Sequence, residues 1–173
     1  ASLKTGVHRS RYPLIAIIDA DGTYPVESLP TLIELMHDAD MAVGARVGSE
    51  AKHSTLRLIP KWFLARFAEW VAHSKIPDIN SGLRVFRRDV AKKFLPILPD
   101  GFSFTLTITM AMMTNGYNVR YDPISYQVRV GRSKIRPIRD TLRFLALIIR
   151  TGIYFAPLRV FMPIAALFFV GFA

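Results

Sequence analysis

The stretch from Leu14 to Pro25, LIAIIDADGTYP, constrains the fold of this chain more than any other. Leu14 to Ile18 form an unbroken apolar run rich in isoleucine, and such a run predicts a strand buried on both faces. Asp19 and Asp21 follow at once, and Gly22, Thr23 and Pro25 then break the pattern. Open α/β sheets place their ligands at the carboxyl ends of strands, where these two acids fall. A desolvated carboxylate pair is costly unless something positive lies between the acids, and a hard cation such as Mg²⁺ fits. The plainer alternative is a strand-ending turn with two solvated acids, because Asp-Gly is an ordinary turn dipeptide.

The 173 residues suffice for one domain with a real core plus an appendage. A formal net charge of +10 points to an anionic partner: nucleic acid, a membrane surface or a phosphorylated substrate. Without cysteine, disulfides and thiolate metal sites are excluded. The chain starts at alanine with no signal-peptide pattern and stops at Ala173 inside an apolar run, so both ends are expected to be cuts.

Ala1 to Tyr12 is polar and basic and reads as a helix end and a loop. Ser28 can cap a helix with Pro30 in its first turn, running to about Asp38. Met41 to Ala45 predicts a second short buried strand, which ends at Arg46 and completes a right-handed βαβ unit. Gly48 to Ser54 is a polar loop. Leu56 to Ser74 carries Trp62, Phe63, Phe67 and Trp70 at helical spacing, an aromatic stripe of the kind that serves core packing. A loop over Pro77 to Gly82, a strand over Leu83 to Phe86 and a brief helix capped by Asp89 come next. Phe104 to Asn115 is a helix stopped by Gly116, and Tyr117 to Val130 reads as two strand pieces around Pro123.

From Arg129 the character changes. Arg129, Arg132, Lys134, Arg136, Arg139, Arg143 and Arg150 are countered only by Asp140. Arg136 to Tyr154 predicts a basic amphipathic helix on an anionic membrane surface; a soluble helix with a solvated basic face is the alternative. Val160 to Ala173 carries no charge and is too short to span about 30 Å of hydrocarbon. Behind so many arginines it reads as the start of a spanning helix that enters from the cytoplasmic side, against the alternative of a buried C-terminal helix.

Four stretches call for one explanation: DADGTYP (19–25), VGAR (43–46), INSGLRVFRRD (79–89) and RVGRSKIRP (129–137). A carboxylate pair with several cationic side chains is what a metal-bound diphosphate needs, the metal bridging carboxylate and phosphate while Arg and Lys neutralise the remaining oxygens. In these stretches the sequence resembles the family-2 glycosyltransferases, in particular the branch that loads a sugar onto a polyprenyl or dolichyl phosphate. DADGTYP resembles that family's D-x-D motif, NSGLRVFRR its N/T-S-G-[FL]-R segment, and RVGRSKI the R-x-G-x-S-K segment before the membrane-associated helices.

The resemblance implies a GT-A type (Rossmann-like) α/β sheet with flanking helices, N-terminally truncated and followed by interfacial and membrane helices. Its expected divisions are a partial transferase domain over 1–134, an interface helix over 135–156 and the start of a transmembrane helix over 157–173. It further implies inverting transfer from a nucleotide-sugar donor to a lipid phosphate, with Mg²⁺ or Mn²⁺ as cofactor. Asp19 and Asp21 match the acids that handle the donor ribose and the metal diphosphate, with Asp21 and Arg129 as the catalytic pair. Arg46 and Arg84 match basic residues that face donor or acceptor phosphate. Arg129, Ser133 and Lys134 match a segment that closes over the phosphates.

Thr23 stands where many relatives carry a glutamine that assists the metal. Thr105 stands where relatives often carry a carboxylate. A phosphate acceptor is already ionised near neutral pH and needs no base, so the missing acid favours lipid phosphate. The expected partners are therefore the nucleotide sugar, the polyprenyl phosphate and the membrane, with the catalytic domain on its cytoplasmic face. Homo-oligomer formation is left open. Nucleic acid is not expected, since Trp62, Phe63 and Trp70 are not interleaved with basic residues. The rival readings are a non-catalytic basic membrane- or nucleic-acid-binding domain and a haloacid-dehalogenase-type phosphohydrolase. The second rival needs a late acidic pair, whereas Asp78, Asp89, Asp100, Asp122 and Asp140 are isolated in sequence.

Overall fold

The computed structural model describes residues 2–47, 65–100, 104–127, 145–146, 148–150, 152–154 and 156–172. The Gly48 to Ser54 loop, Trp62 and Phe63, and Arg129, Ser133 and Lys134 with the rest of 128–144 lie outside them.

Helix α1 (Ser2–Arg9) leads into strand β1 (Leu14–Ile17); a 3-10 turn (Val26–Ser28) opens helix α2 (Leu29–Leu35), and strand β2 (Met41–Val47) follows. Helix α3 (65–72) precedes strand β3 (Arg84–Arg87), helix α4 (Arg88–Phe94), helix α5 (Phe104–Thr114) and strand β4 (Val119–Ser125). The chain continues into helices α6 (Ile148–Tyr154) and α7 (Pro157–Phe172).

The sheet is mixed, in the order β1-β3-β2-β4. Strands β2 and β4 are parallel, while β3 runs antiparallel to both β1 and β2. The predicted strand–helix–strand unit is present, but β3 is inserted between its two strands. Among the described residues β1 is the outermost strand on that side. Its residues are half-buried and Ala16 is exposed in this chain, short of the two-face burial expected, although Ile15 and Ile17 pack on one layer and Leu14 on the other. An isoleucine-rich run reports β propensity and one apolar face equally well, so composition alone does not separate central from edge strands.

Alternate residues of each strand feed opposite layers, as the period of two requires. Met41, Val43 and Phe86 pack with α1, α4 and α5, whereas Ala42 and Val85 pack with Leu32 of α2 and with Met36 just after it. Helix α5 is apolar almost all round because both of its sides are covered: Ile108 and Met112 meet the sheet layer, and Leu106 and Met110 meet α3 and Ile148. Gly116 ends it with φ 77°. The Gly116 and Tyr117 amides donate to the Met113 and Met112 carbonyls at 3.1 and 3.0 Å, a Schellman closure.

Three boundaries differ from expectation. Ser28 precedes α2 without a side-chain cap, and Pro30 lies in the first turn. Asp89 sits inside the first turn of α4, where it complements the helix dipole, and Arg87 is the residue that precedes the helix. Strand β4 passes through Pro123 unbroken, because an edge strand tolerates a missing donor.

Helix α7 carries Leu158, Phe161, Met162, Leu167, Phe168, Phe169 and Val170 exposed. No single helix among the described residues is long and apolar enough to cross a membrane; α6 and α7 meet the length and composition requirement only as a bent pair.

Candidate active site

The carboxyl ends of the parallel strands β1, β2 and β4 and the loop entering β3 converge on one rim. Asp19 and Asp21 lie there, both exposed, as in the alternative of a strand-ending turn with two solvated acids rather than in that of a desolvated pair. Asp21 Oδ1 accepts from the Thr23 hydroxyl at 2.6 Å and from the Thr23 amide at 3.2 Å, closing an Asx turn through Gly22 at φ 73°. Thr23 is itself buried, and its carbonyl accepts from the Gln127 amide at 3.0 Å beyond β4.

Loop 78–82 faces this turn and is held at three points. The Ser81 hydroxyl, fully buried, donates to the Gly44 carbonyl of β2 at 2.5 Å. The Gly82 amide donates to the phenol oxygen of Tyr24 at 2.7 Å. Arg84 donates to the Ser81 carbonyl from below. Gly82 leaves the room that the Asp19 carboxylate occupies, since a methyl group there would overlap it and displace its movable end. Gly44 is tight as well, with a Cβ falling 2.8 Å from Ile124 Cδ1.

Arg46 projects from the end of β2 and forms a bidentate pair with Asp78, Nε to Oδ2 at 2.6 Å and Nη2 to Oδ1 at 2.8 Å. Its guanidinium also lies over the Tyr126 ring, 5.3 Å from the centroid, and Tyr126 meets Tyr24 edge-on at 5.1 Å. The hydrogen bonds to Asp78 raise the Arg46 pKa still further above its ordinary value.

Arg84 was expected against a phosphate. The structure places it fully buried beneath loop 78–82, with no exposed surface. Its guanidinium donates to the Thr105 carbonyl at 3.0 Å and the Thr109 hydroxyl at 2.9 Å, as well as to Ser81. Those bonds tie the loop to the first two turns of α5. Burial pushes the Arg84 pKa down to about 10, and Tyr121, Asp78, Tyr24 and Asp19 lie within electrostatic reach.

Tyr121 Oη is buried with no hydrogen-bond partner among the described residues, and burial raises its pKa. Removing such a hydroxyl discards a desolvated polar group, so Tyr121→Phe should match the parent or exceed it by about 1 kcal/mol in urea unfolding.

Of the sequence-predicted set, Asp19, Asp21, Arg46 and Arg84 converge on this rim or directly beneath it; Arg129, Ser133 and Lys134 are outside the described residues. Sequence reading passed over Asp78, Tyr24 and Tyr126. Asp78 lies 32 residues from its partner Arg46, although the Asp-x-Asn spacing, with Asn80 donating back to Asp78 at 3.1 Å, was a readable turn signal.

The family model for glycosyl transferase family 2 matches residues 1–95, just over half of the chain. The chain belongs to that family. A dolichyl-phosphate hexose transferase of Haloferax volcanii is 32% identical over 127 residues, 72% of this chain and 55% of the relative. A polyprenol monophosphomannose synthase of Mycolicibacterium smegmatis is 29% identical over 134 residues, 73% of this chain and 51% of the relative. This family-2 chain therefore spans about half the length of the curated relatives it matches.

Among solved structures, glucosyl-3-phosphoglycerate synthase from Mycobacterium tuberculosis with phosphoglyceric acid has a TM-score of 0.60 at 15% identity, over 88% of this chain and 53% of that one. The same enzyme with Mn²⁺, uridine diphosphate and glucosyl-3-phosphoglycerate gives 0.59. At that identity the likeness establishes the fold, an α/β sheet of GT-A type with flanking helices.

Proposed function

We propose that the protein transfers a hexose from a nucleotide sugar to a polyprenyl (dolichyl-type) phosphate at a membrane, with inversion and with a divalent cation. The observation that carries this reading is the juxtaposition of Asp19 and Asp21 with loop 78–82 at the carboxyl ends of the parallel strands, in a family-2 chain whose relatives bear polyprenyl- and dolichyl-phosphate transferase names.

The donor set suits Mg²⁺ or Mn²⁺. Two exposed carboxylates are hard oxygen ligands, and they leave room for diphosphate oxygens and water. Among the described residues no third His, Cys, Asp or Glu joins them, which is compatible with a cation completed by its substrate. Asp21, with Asp19, would hold the metal, which when bound neutralises charge on the departing nucleoside diphosphate. Thr23 fixes the Asp21 rotamer, and Arg84 fixes the loop from below. Arg46, steered by Asp78, is the cation closest in kind to a phosphate ligand on this rim. Arg129, Ser133 and Lys134 are proposed to close over the phosphates. An ionised acceptor phosphate attacks without a general base, so positioning and electrostatics supply most of the rate.

Incubating the full-length protein with candidate UDP- and GDP-sugars and polyprenyl phosphate, with Mn²⁺, Mg²⁺ or chelator, tests this. Metal-dependent formation of a lipid-linked sugar is expected. Transfer in excess chelator, or only to soluble hydroxyl acceptors, would count against it. The two alternatives, a basic binding module and a phosphohydrolase, draw no support from the family match.

The exposed apolar side chains of α7 support membrane attachment, and the arginines before α6 support a cytoplasmic catalytic face. Replacing Leu167 and Phe169 with aspartate should lower co-sedimentation with anionic vesicles by about tenfold or more; unchanged sedimentation would remove α7 from the attachment.

A further inference from the structure

Tyr24 has a role that its burial in the α2 layer does not explain. The ring packs with Leu32, Met36 and Leu83 and meets Tyr126 edge-on, and a phenylalanine would serve that packing equally. What the phenol adds is an acceptor: its oxygen receives the Gly82 amide at 2.7 Å in a buried setting. Gly82 is also where the Asp19 carboxylate rests, because a methyl group on its Cα would occupy the space of that carboxylate. Tyr24 follows Thr23, whose amide and hydroxyl hold Asp21. A single side chain thus joins the turn that fixes one acid to the backbone that supports the other.

We propose that Tyr24 is a positioning residue for the donor end of the site, holding Gly82 as the floor on which Asp19 lies and so setting the separation of the two carboxylates. The inference rests on the reading of Asp19 and Asp21 as the metal-diphosphate ligands. It deepens that reading by naming what fixes their geometry. A cation held by both acids would be sensitive to their spacing, whereas binding of the acceptor phosphate would not depend on it. Loss of the phenol oxygen therefore falls on donor and metal affinity and spares the acceptor.

The test uses Tyr24→Phe and Gly82→Ala in the full-length protein. Gly82 has an ordinary backbone conformation, and the added methyl would meet only the movable end of Asp19; this second variant should fold even if the first does not. Calorimetric binding of Mn²⁺ with UDP and with GDP should weaken about five- to tenfold in Tyr24→Phe and by at least as much in Gly82→Ala. The double variant should lose less than the sum of the two. The KM for the nucleotide sugar should rise in parallel, while that for polyprenyl phosphate changes less than twofold.

Independently of activity, amide exchange at Gly82 should accelerate by about tenfold or more in metal-free Tyr24→Phe. Parent-like Mn²⁺–nucleotide affinity in Tyr24→Phe, unchanged exchange at Gly82, or equal rises in both KM values would overturn the inference. Failure of the parent protein to bind any Mn²⁺–nucleotide would instead strike the proposed function, and the exchange measurement would still decide whether Tyr24 anchors Gly82.

Discussion

Replacing Asp21 by asparagine is expected to reduce sugar transfer by about 100-fold or more, equivalent to ~3 kcal/mol of lost transition-state stabilisation. The substitution is nearly isosteric. Asparagine retains an Oδ1 that can accept from the Thr23 hydroxyl and amide, the two bonds that close the turn. The fold should therefore survive with its melting temperature close to that of the parent, and the loss should be one of charge. Saturating Mn²⁺ should recover part of the rate if the weakened step is metal capture. Radiolabel transfer into lipid, with thermal unfolding of the same preparations, measures both. Undiminished transfer by Asp21→Asn would remove this carboxylate from the reaction.

Arg84→Met is expected to cost about 3 kcal/mol of stability at pH 7 and to loosen loop 78–82. Two effects oppose each other here. The guanidinium is fully buried with no carboxylate paired to it among the described residues, so its desolvation is unfavourable, and a methionine of similar length relieves that cost. Removing it, however, leaves the Ser81 carbonyl without its partner, while the Thr105 carbonyl and the Thr109 hydroxyl keep the bond between them at 2.8 Å, and a buried polar group left unpaired costs ~1–3 kcal/mol. The unpaired carbonyl and the lost ties to α5 outweigh the relieved charge, and urea unfolding should show a lower midpoint.

The sign of the alkaline response follows from the same burial. Arg84 has a folded-state pKa lowered to about 10, so its penalty is fully present below that pH and is relieved as pH climbs towards the unfolded value. Tyr121 is raised by burial above the ordinary phenol value, so its contribution is complete below about pH 10 and fades as pH rises through the folded value. Neither group gives a pH dependence between pH 6 and 9. A slope in that interval that disappears in Tyr121→Phe would contradict these assignments.

Local signals were legible in the sequence where one segment decides the outcome. The α5 stop at Gly116, the strand at Met41 and the two acids after β1 each follow from turn chemistry or apolar runs a few residues long. What the sequence concealed is pairing across distance. Nothing local says that β3 enters between β1 and β2 and separates the two strands of the predicted unit. Arg84, Arg87 and Arg88 look alike in the string RVFRR. Only the strand period, with Arg84 on the same side as Phe86 and beneath α5, separates the enclosed arginine from its neighbours. The string does not mark Asp78 as a site residue, because its partner Arg46 is 32 positions away.

The two borders of the sheet are not equivalent. Along β4 the outermost strand contains Pro123, which withholds an amide hydrogen and makes lateral addition of another chain segment unfavourable. Strand β1 contains no proline, and a single residue, Ile18, separates it from Asp19. A displacement of the β1 backbone therefore reaches Asp19 across one residue, whereas one in β4 reaches the acidic turn through the Gln127 amide and the Thr23 carbonyl.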